Sequence, residues 1–210
     1  MNPKVQAILE QTGRLYHRYG IKSITMDDVA SHLGMSKKTL YECFSDKEDL
    51  VRQVLMYDHS RYCAFLDGIE EKNLNAVEEL FEVYRSIQAI YREYNPSMDY
   101  DIRKYYPGLF IELRDIKRKR MYESVFRNLI KGRSEGLYRV DLDPSVIARM
   151  HVMRVESMLY NDIFTVEELT SFSLFHESFV YHMHGIMSHE GRVFFEASFD
   201  LFTAAGKETP

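Results

Sequence analysis

A short segment near the N-terminus carries ammonium and hydroxyl groups that are suited to binding nucleic acid. These groups belong to Ser36, Lys37, Lys38, Thr39 and Tyr41. Lysine can donate hydrogen bonds to O6 and N7 of guanine in the major groove, and hydroxyl groups commonly bond to phosphate oxygens. The chemistry that this segment indicates is therefore contact with a DNA duplex.

Two short predicted helices position this segment. The sequence predicts helices over residues 26–33 and 37–44 with Gly34 in the turn between them, a pattern typical of a helix-turn-helix. The apolar residues whose spacing lets the two helices pack together are Val29, Ala30, Leu33, Leu40 and Phe44. The polar segment then lies at the exposed start of the second helix, where free backbone N–H groups favour a phosphate or a base edge.

The residues of this region resemble the N-terminal signature of the TetR (tetracycline repressor) family. The matching residues are Thr25, Ala30, Gly34, Met35, Ser36, Thr39, Leu40, Tyr41, Phe44, Lys47 and Leu50. The residues that the resemblance places at phosphates are Thr25, Tyr41 and Lys47. Those that it places nearest the bases are Lys37, Lys38 and Thr39. Of these, the two lysines are the leading candidates for sequence readout.

The region departs from the family pattern at three positions. The family commonly has a small residue where Lys38 stands and an aromatic residue or histidine where Cys43 stands, and Glu42 adds an acid beside the DNA-facing residues. Cys43 is expected to be buried. Glu42 could accept a hydrogen bond from N4 of cytosine or remain a solvated helix residue. These departures bear on the operator sequence and not on the class of protein.

The charge of the chain bears on how it can bind DNA. The formal net charge is −5, and the first fifty residues carry seven basic and seven acidic side chains, which sum to zero. Many nucleic-acid-binding domains are basic. A neutral head on an acidic body therefore predicts weak non-specific binding, with affinity resting on a few placed contacts.

The whole chain is predicted to be all-α, with nine or ten helices and no strand, because long Pro-free stretches favour helix. The predicted helices outside the helix-turn-helix cover residues 4–19, 46–69, 73–94, 97–104, 107–133, 144–161, 165–188 and 193–202. Residues 1–48 are expected to form a three-helix DNA-binding head. Residues 49–210 are expected to form an effector-binding and dimerisation domain, with a linker helix over about 46–70.

The resemblance implies a small-molecule effector pocket among the middle helices. Its candidate residues are Tyr62, Phe65, Tyr84, Ile87, Tyr91, Phe110, Leu113, Met121, Met150, Met153 and Arg154. Methionine and aromatic side chains give an adaptable cavity for apolar or aromatic ligands, but the same spacing is more typical of an ordinary core, which is the favoured interpretation for any one of these residues. Arg154 and Glu156 could orient an effector, or form an ion pair at the surface or the dimer interface.

The resemblance also implies a homodimer held by a four-helix bundle. The predicted helices over 144–161 and 165–188 are the candidates, and the second carries an apolar seam suited to a partner helix. The seam consists of Phe172, Phe175, Phe179, Met183 and Ile186. A two-fold dimer would place its recognition helices roughly 34–36 Å apart, in successive major grooves.

Other kinds of site find little support in the sequence. No nucleophile elbow, Gly-rich phosphate loop, His-Glu-x-x-His run or paired-carboxylate motif occurs, so neither catalysis nor a cofactor is expected. His182 and His184 are two residues apart and point different ways on a helix, which disfavours a metal site. The basic run 114–120 is expected to be a solvated helix face.

The expected compartment is the cytoplasm. The chain has only two cysteines, Cys43 and Cys63, which suits a reducing environment, and no apolar run approaches the roughly 20 residues that span a bilayer. No membrane partner is therefore expected.

Together these expectations describe a dimeric transcriptional regulator, in the first instance a repressor, that binds palindromic double-stranded operator DNA. A small-molecule effector would bind the body, shift the short helix around residues 100–106 and change the spacing of the two heads. Two other classes stay open as alternatives: a helical enzyme, and an activator or interaction module that has the same head but no usable cavity.

Overall fold

The protein is described by a computed structural model that covers residues 2–92, 95–159, 163–169 and 171–204. These residues form eleven α-helices and no β-strand. The helices are α1 (Pro3–Tyr19), α2 (Met26–His32), α3 (Lys37–Tyr41), α4 (Lys47–Glu70), α5 (Ala76–Arg92), α6 (Pro96–Tyr105), α7 (Pro107–Ser134), α8 (Pro144–Leu159), α9 (Val166–Leu169), α10 (Phe172–Ile186) and α11 (His189–Ala204). The all-α prediction with an N-terminal helix-turn-helix is confirmed.

The main difference from the predicted helices lies between residues 165 and 188. The sequence predicts one helix there, whereas the structure has the short helix α9 followed by α10. Each of the two has its own N-terminal cap, because the Thr165 hydroxyl accepts from the Glu168 amide at 3.2 Å and the Ser171 hydroxyl accepts from the Leu174 amide at 3.4 Å. A cap of this kind satisfies amides that have no partner within the helix, so a second cap starts a second helix.

Contacts between residues group the chain into two compact units. The first comprises Met1–Ala64 and Glu93–Lys117, and the second comprises Phe65–Arg92 and Arg118–Pro210. The predicted division at residue 48 concerns function, and it differs from this grouping because α6 and the start of α7 pack with the N-terminal helices.

The core of the first unit joins the helix-turn-helix to these later helices. Its fully buried side chains include Tyr16, Leu40, Phe44, Leu50 and Leu109. Also in this core are Met98 and Ile102 of α6 and Leu113 of α7. The N-terminal head therefore buries apolar surface against residues that follow it by about fifty positions or more, and this burial stabilises the head.

The second unit contains a buried polar network at the end of α7. The Asn128 side-chain amide donates to Glu79 Oε2 at 2.9 Å, and the Lys131 ammonium donates to Glu79 Oε1 at 2.6 Å. The Tyr138 hydroxyl donates to the Ala76 carbonyl at 3.0 Å and lies 3.0 Å from Asn128 Oδ1. Each polar group in this network has a partner, which removes the penalty of burying it.

Two loops of the second unit pair through their backbones. The Arg139 amide donates to the Ile186 carbonyl, and the Ser188 amide donates to the Leu137 carbonyl, both at 2.9 Å. We call this pairing of residues 137–139 with 186–188 the clasp. Gly191 lies against it, and a Cβ atom there would overlap the Leu137 carbonyl.

No helix in the part of the chain that the structure describes is long and apolar enough to cross a membrane.

Candidate nucleic-acid interface

The start of α2 is held by a reciprocal cap. The Asp28 amide donates to the Thr25 hydroxyl at 3.2 Å, and the Thr25 amide donates to Asp28 Oδ2 at 2.8 Å. The hydrogen bonds from Thr25 hold the pKa of the Asp28 carboxyl below its ordinary value. Thr25 therefore sets where α2 begins, and it also lies at the exposed surface.

The turn between α2 and α3 depends on a glycine. Gly34 has φ +63°, in the left-handed region that residues with a Cβ rarely adopt. Two residues later the Ser36 hydroxyl caps α3 by accepting from the Thr39 amide at 3.1 Å, and it lies 2.8 Å from the Thr39 hydroxyl. The helix predicted over residues 37–44 ends at Tyr41 in the structure. After it, the Cys43 and Phe44 amides both donate to the Leu40 carbonyl, which closes a turn.

The two adjacent lysines of α3 have different surroundings. Lys37 Nζ lies 2.8 Å from Asp27 Oδ1 of α2, and both side chains are more than half exposed. The hydrogen bond to Asp27 raises the pKa of Lys37 above its ordinary value. Lys38 is also exposed, and its side chain has neither a hydrogen bond nor an ion pair to any described residue.

Lys47 occupies a third environment, at the start of α4. Its ammonium donates to the Ile21 carbonyl at 2.7 Å and lies 3.3 Å from the Lys22 carbonyl. Partial burial lowers the pKa of Lys47 below its ordinary value. The side chain thus joins α4 to the loop that follows α1, a role that no local pattern in the sequence indicates.

The residues that depart from the family pattern differ in how far they are exposed. Cys43 is half-buried and packs against the core of the first unit, while Glu42 is exposed. Tyr41 is 43% exposed. The exposed side of α3 therefore presents Lys38, Tyr41 and Glu42 to the solvent.

Helix α6 is hydrogen-bonded to the end of α1. The Lys22 amide donates to Asp101 Oδ2 at 2.7 Å, and the Lys22 ammonium donates to the Tyr105 hydroxyl at 2.6 Å. Asp101 is buried, and its oxygen lies 3.1 Å from where a Cβ of Gly20 would stand. Sequence reasoning missed Asp101, because its partner lies 79 positions earlier in the chain.

The predicted effector residues are distributed over both units. Phe110 and Leu113 pack in the core of the first unit. Tyr84 is buried in the second, while Met150 and Met153 of α8 are 52% and 62% exposed. Four more of the predicted effector residues are at least partly exposed, and these are Tyr62, Phe65, Ile87 and Met121. The side chain of Tyr91 lies outside the described residues.

Tyr84 lies within a cluster of aromatic side chains from α10 and α11. Its ring centroid is 4.6 Å from that of Phe179 and 5.3 Å from that of Phe175. Its hydroxyl is 2.8 Å from His176 Nδ1, and burial raises the pKa of Tyr84 to about 12.

Arg154 of α8 lies in a cluster of neutral groups. Its guanidinium donates to the Ser178 carbonyl at 2.6 Å, to the Ser178 hydroxyl, and to His151 Nδ1 at 3.1 Å. The rings of His151 and His182 meet edge to face with centroids 4.7 Å apart. Glu156 is bonded instead to Arg118.

The seam predicted for the dimer interface is used inside the chain. Met183 and Ile186 are buried in the core of the second unit, and Phe179 packs against Phe81 as well as Tyr84. Phe172 and Phe175 also lie beside Tyr84. Helix α5 packs against part of this seam, and Phe172, Phe175 and Phe179 stay partly exposed. Among the described side chains of α8 and α10, the exposed large apolar ones are Val146, Met150, Met153 and Tyr181.

Comparison with known proteins agrees with the geometry of the head. Residues 8–54 match the family described as "Bacterial regulatory proteins, tetR family". The chain is 27% identical over 150 residues to the HTH-type transcriptional regulator YvaF of Bacillus subtilis, which covers 69% of this chain and 75% of YvaF. It is 24% identical over 155 residues to the HTH-type transcriptional repressor KstR2 of Mycobacterium tuberculosis, which covers 71% of this chain and 76% of KstR2.

The fold is also shared with a solved complex of SmeT with triclosan. The two align with a TM-score of 0.65 and 16% identity over 88% of this chain and 92% of SmeT. The helix-turn-helix, its caps and the sequence match over residues 8–54 lead to one conclusion. The N-terminal part of the chain, over residues 8–54, is a helix-turn-helix similar to that of the tetR family of bacterial regulatory proteins.

Proposed function

We propose that the protein is a dimeric repressor that binds a palindromic operator through α3 and leaves it when a small molecule binds the second unit. The observation that carries the proposal is the capped helix-turn-helix, with Lys38, unpaired among the described residues, on the exposed side of a five-residue recognition helix. The similarity to the repressor KstR2 supports the direction of regulation. The action would take place in the cytoplasm.

In this proposal the residues of the head have separate roles. Lys38 reads a base edge, because its ammonium is exposed and uncommitted within the described part of the chain. Tyr41 donates a hydroxyl hydrogen bond to a phosphate, and Thr25 does the same once its hydroxyl gives up the hydrogen bond that it donates to Asp28 Oδ2. Thr39 and Ser36 fix the start of α3, and Lys47 keeps α4 against the loop after α1 while its remaining N–H group is available to a phosphate.

The proposed dimer uses the exposed apolar side chains of α8 and α10. Met153 is 62% exposed and Tyr181 is 79% exposed on these helices. Exposed apolar side chains that form a patch are typical of an interface. Two copies are also needed for a neutral head to bind tightly, because each contributes only a few contacts.

The proposed effector binds among the aromatic side chains of the second unit. The cluster around Tyr84 combines flat apolar surfaces with one polar pair, the Tyr84 hydroxyl and His176. Such a combination suits an apolar or aromatic compound with one polar group. The solved complex of SmeT with triclosan is an example of a protein of this fold with a bound compound.

The proposed route from effector to DNA passes through α6. Asp101 and Tyr105 attach this helix to Lys22 in the loop that follows α1. A displacement of α6 would therefore pull on the loop to which Lys47 is also bonded, and so on the start of α4. For the effector to act, it must bind the state that releases DNA more tightly than the state that holds it.

Selection of duplexes from a random pool tests the DNA-binding part of the proposal. We expect two inverted half-sites whose centres are one helical turn apart. Lys38→Ala should alter the preferred base at one position in each half-site, with a loss of about 1–3 kcal/mol against the preferred base.

Tyr41→Phe is the matched comparison for Lys38→Ala. It removes a phosphate contact, so it should weaken all sequences about equally. If both variants lower binding uniformly across a panel of sequences, Lys38 is not a base reader.

The effector part of the proposal is tested in two steps. Compounds that raise the thermal midpoint of the protein are found first, and operator affinity is then measured with each of them bound. This part is wrong if no bound compound changes the operator affinity.

A further inference from the structure

The ion pair between Asp27 and Lys37 lies inside the proposed DNA-binding surface. It joins α2 to α3, with Lys37 Nζ 2.8 Å from Asp27 Oδ1 and 3.1 Å from Oδ2. The Asp27 and Lys37 side chains are 65% and 55% exposed respectively, so the pair stands in solvent and does not hold a buried core together. An exposed pair of this kind contributes little to stability.

The two lysines of α3 consequently differ in what DNA binding requires of them. Lys38 can meet a base edge or a phosphate without giving up any partner in the described part of the chain. Lys37 has an acidic partner already: its ammonium lies against both oxygens of Asp27, which occupies part of its hydrogen-bonding capacity and offsets its positive charge. DNA and the Asp27 carboxylate therefore compete for one ammonium group.

We propose that Asp27 is an internal competitor that sets how much Lys37 contributes to operator affinity. In the free protein the carboxylate holds the ammonium against α2. In the complex Lys37 exchanges that carboxylate for a DNA acceptor, so its contribution is reduced by the strength of the pair. The inference rests on the proposed DNA binding through α3.

Charge supports this assignment. The first fifty residues carry equal numbers of basic and acidic side chains, so no bulk positive field attracts DNA. In such a head the pairing of individual lysines decides how many positive charges are available. Neutralising Asp27 frees one ammonium at a position next to Lys38.

The test is a double-mutant cycle on operator affinity. The full-length proteins are the wild type, Asp27→Asn, Lys37→Met and the double variant, each titrated against the selected operator duplex at one fixed salt concentration. Asp27→Asn should tighten binding in both backgrounds, because it removes a negative charge near phosphates. With Lys37 present, the gain should be about two- to fivefold larger than in the Lys37→Met background, which is the range expected for an exposed ion pair.

Glu42→Gln is the matched control. Glu42 is an exposed acid at the end of α3, the helix that carries Lys37, and it has no ion pair among the described residues. Glu42→Gln therefore makes the same change in net charge as Asp27→Asn without releasing a lysine. Glu42→Gln should raise operator affinity by the same factor in the wild-type background and in the Lys37→Met background. Circular dichroism and the thermal midpoint of each variant verify that the head stays folded.

The outcomes separate this inference from the proposed function. If the gain from Asp27→Asn with Lys37 present is no larger than in the Lys37→Met background, the carboxylate acts only through its charge or the pair persists on DNA, and the inference is overturned. The same holds if Glu42→Gln shows an equal dependence on Lys37. If the wild type selects no duplex from the pool, the proposed function itself fails.

Discussion

At the scale of single residues, the head uses three lysines in three ways. Lys38 is exposed and unpaired among the described residues, Lys37 is paired with Asp27, and Lys47 is bonded to backbone carbonyls. The side chains are chemically the same, so their roles follow from what surrounds them. A substitution at Lys47 should therefore affect the folding of the head as well as its contact with DNA.

The two histidines beside Arg154 predict a dependence of stability on pH. Burial, together with the neighbouring positive charge of Arg154, lowers the pKa of His182 to about 3. Burial also lowers the pKa of His151 well below its usual range. In the unfolded chain both should titrate near about pH 6.5. Between about pH 6.5 and 3, the unfolded state therefore binds protons that the folded state does not.

Stability should consequently fall as the pH falls below about 6.5. For each histidine that stays neutral in the folded state, the free energy of unfolding should fall by at most about 1.4 kcal/mol per pH unit. For His182 this gives a total loss of about 2 kcal/mol between about pH 6.5 and 5. Denaturant unfolding at about pH 5, 6 and 7 measures it, at a fixed protein concentration. His182→Gln should reduce the slope of unfolding free energy against pH by the contribution of one histidine. An unchanged slope would show that His182 is protonated in the folded protein.

At the scale of elements, the close approach of α7 to Tyr138 predicts a steric effect. A Cβ atom at Gly132 would overlap the Tyr138 ring, which is itself fixed by hydrogen bonds to Ala76 and Asn128. Gly132→Ala should therefore lower the free energy of unfolding by about 1–3 kcal/mol, although alanine is the better helix former.

Gly68→Ala is the control for this effect. Gly68 also lies in a helix, α4, but a Cβ there would meet nothing within 4 Å. The substitution should raise the free energy of unfolding by about 0.5–1 kcal/mol. Denaturant unfolding compares the two variants. Equal effects at the two positions would mean that the Tyr138 ring can move aside without loss.

The helices could be predicted from the sequence where the determining signals are local. The cap at Thr25, the glycine at residue 34 and the cap at Ser36 lie within a few residues of the backbone that they shape. The joint before α10 is not predicted, because no proline or glycine separates the cap at Thr165 from the apolar seam that begins at Phe172. The apolar spacing that predicted an intersubunit seam is real, but spacing alone does not distinguish a partner helix from α5.

The candidate site was predicted in its residue types but not in its pairings. The positions of Lys37 and Lys38 in the DNA-facing segment follow from the family pattern, although the family commonly has a small residue where Lys38 stands. The choice of Asp27 as a partner depends on how α2 lies against α3, and the attachment of Lys22 to Asp101 depends on tertiary packing across 79 positions. Pairings of this kind are decided by the assembled fold and leave no periodic trace in the sequence.

At the scale of the whole molecule, the exposed apolar side chains predict the oligomeric state. Met153→Glu places a charge on the proposed interface of α8 and α10, so it should weaken dimerisation at least about tenfold because a buried unpaired charge is costly. Ile130→Glu is the comparison, since Ile130 is 46% exposed on α7. Sedimentation over a range of concentrations measures both variants. A Met153→Glu protein that dimerises as tightly as the wild type would exclude this surface.

The clasp has a consequence for how the second unit comes apart. It joins residues that flank three helices, α8, α9 and α10, and so closes one long loop of chain. The entropy lost on closing a loop grows only slowly with its length, so a few hydrogen bonds can restrain all three helices together. These helices should therefore open to solvent as a single cooperative unit, and not by fraying one at a time. The backbone amides of Arg139 and Ser188, although outside any helix, report on that opening.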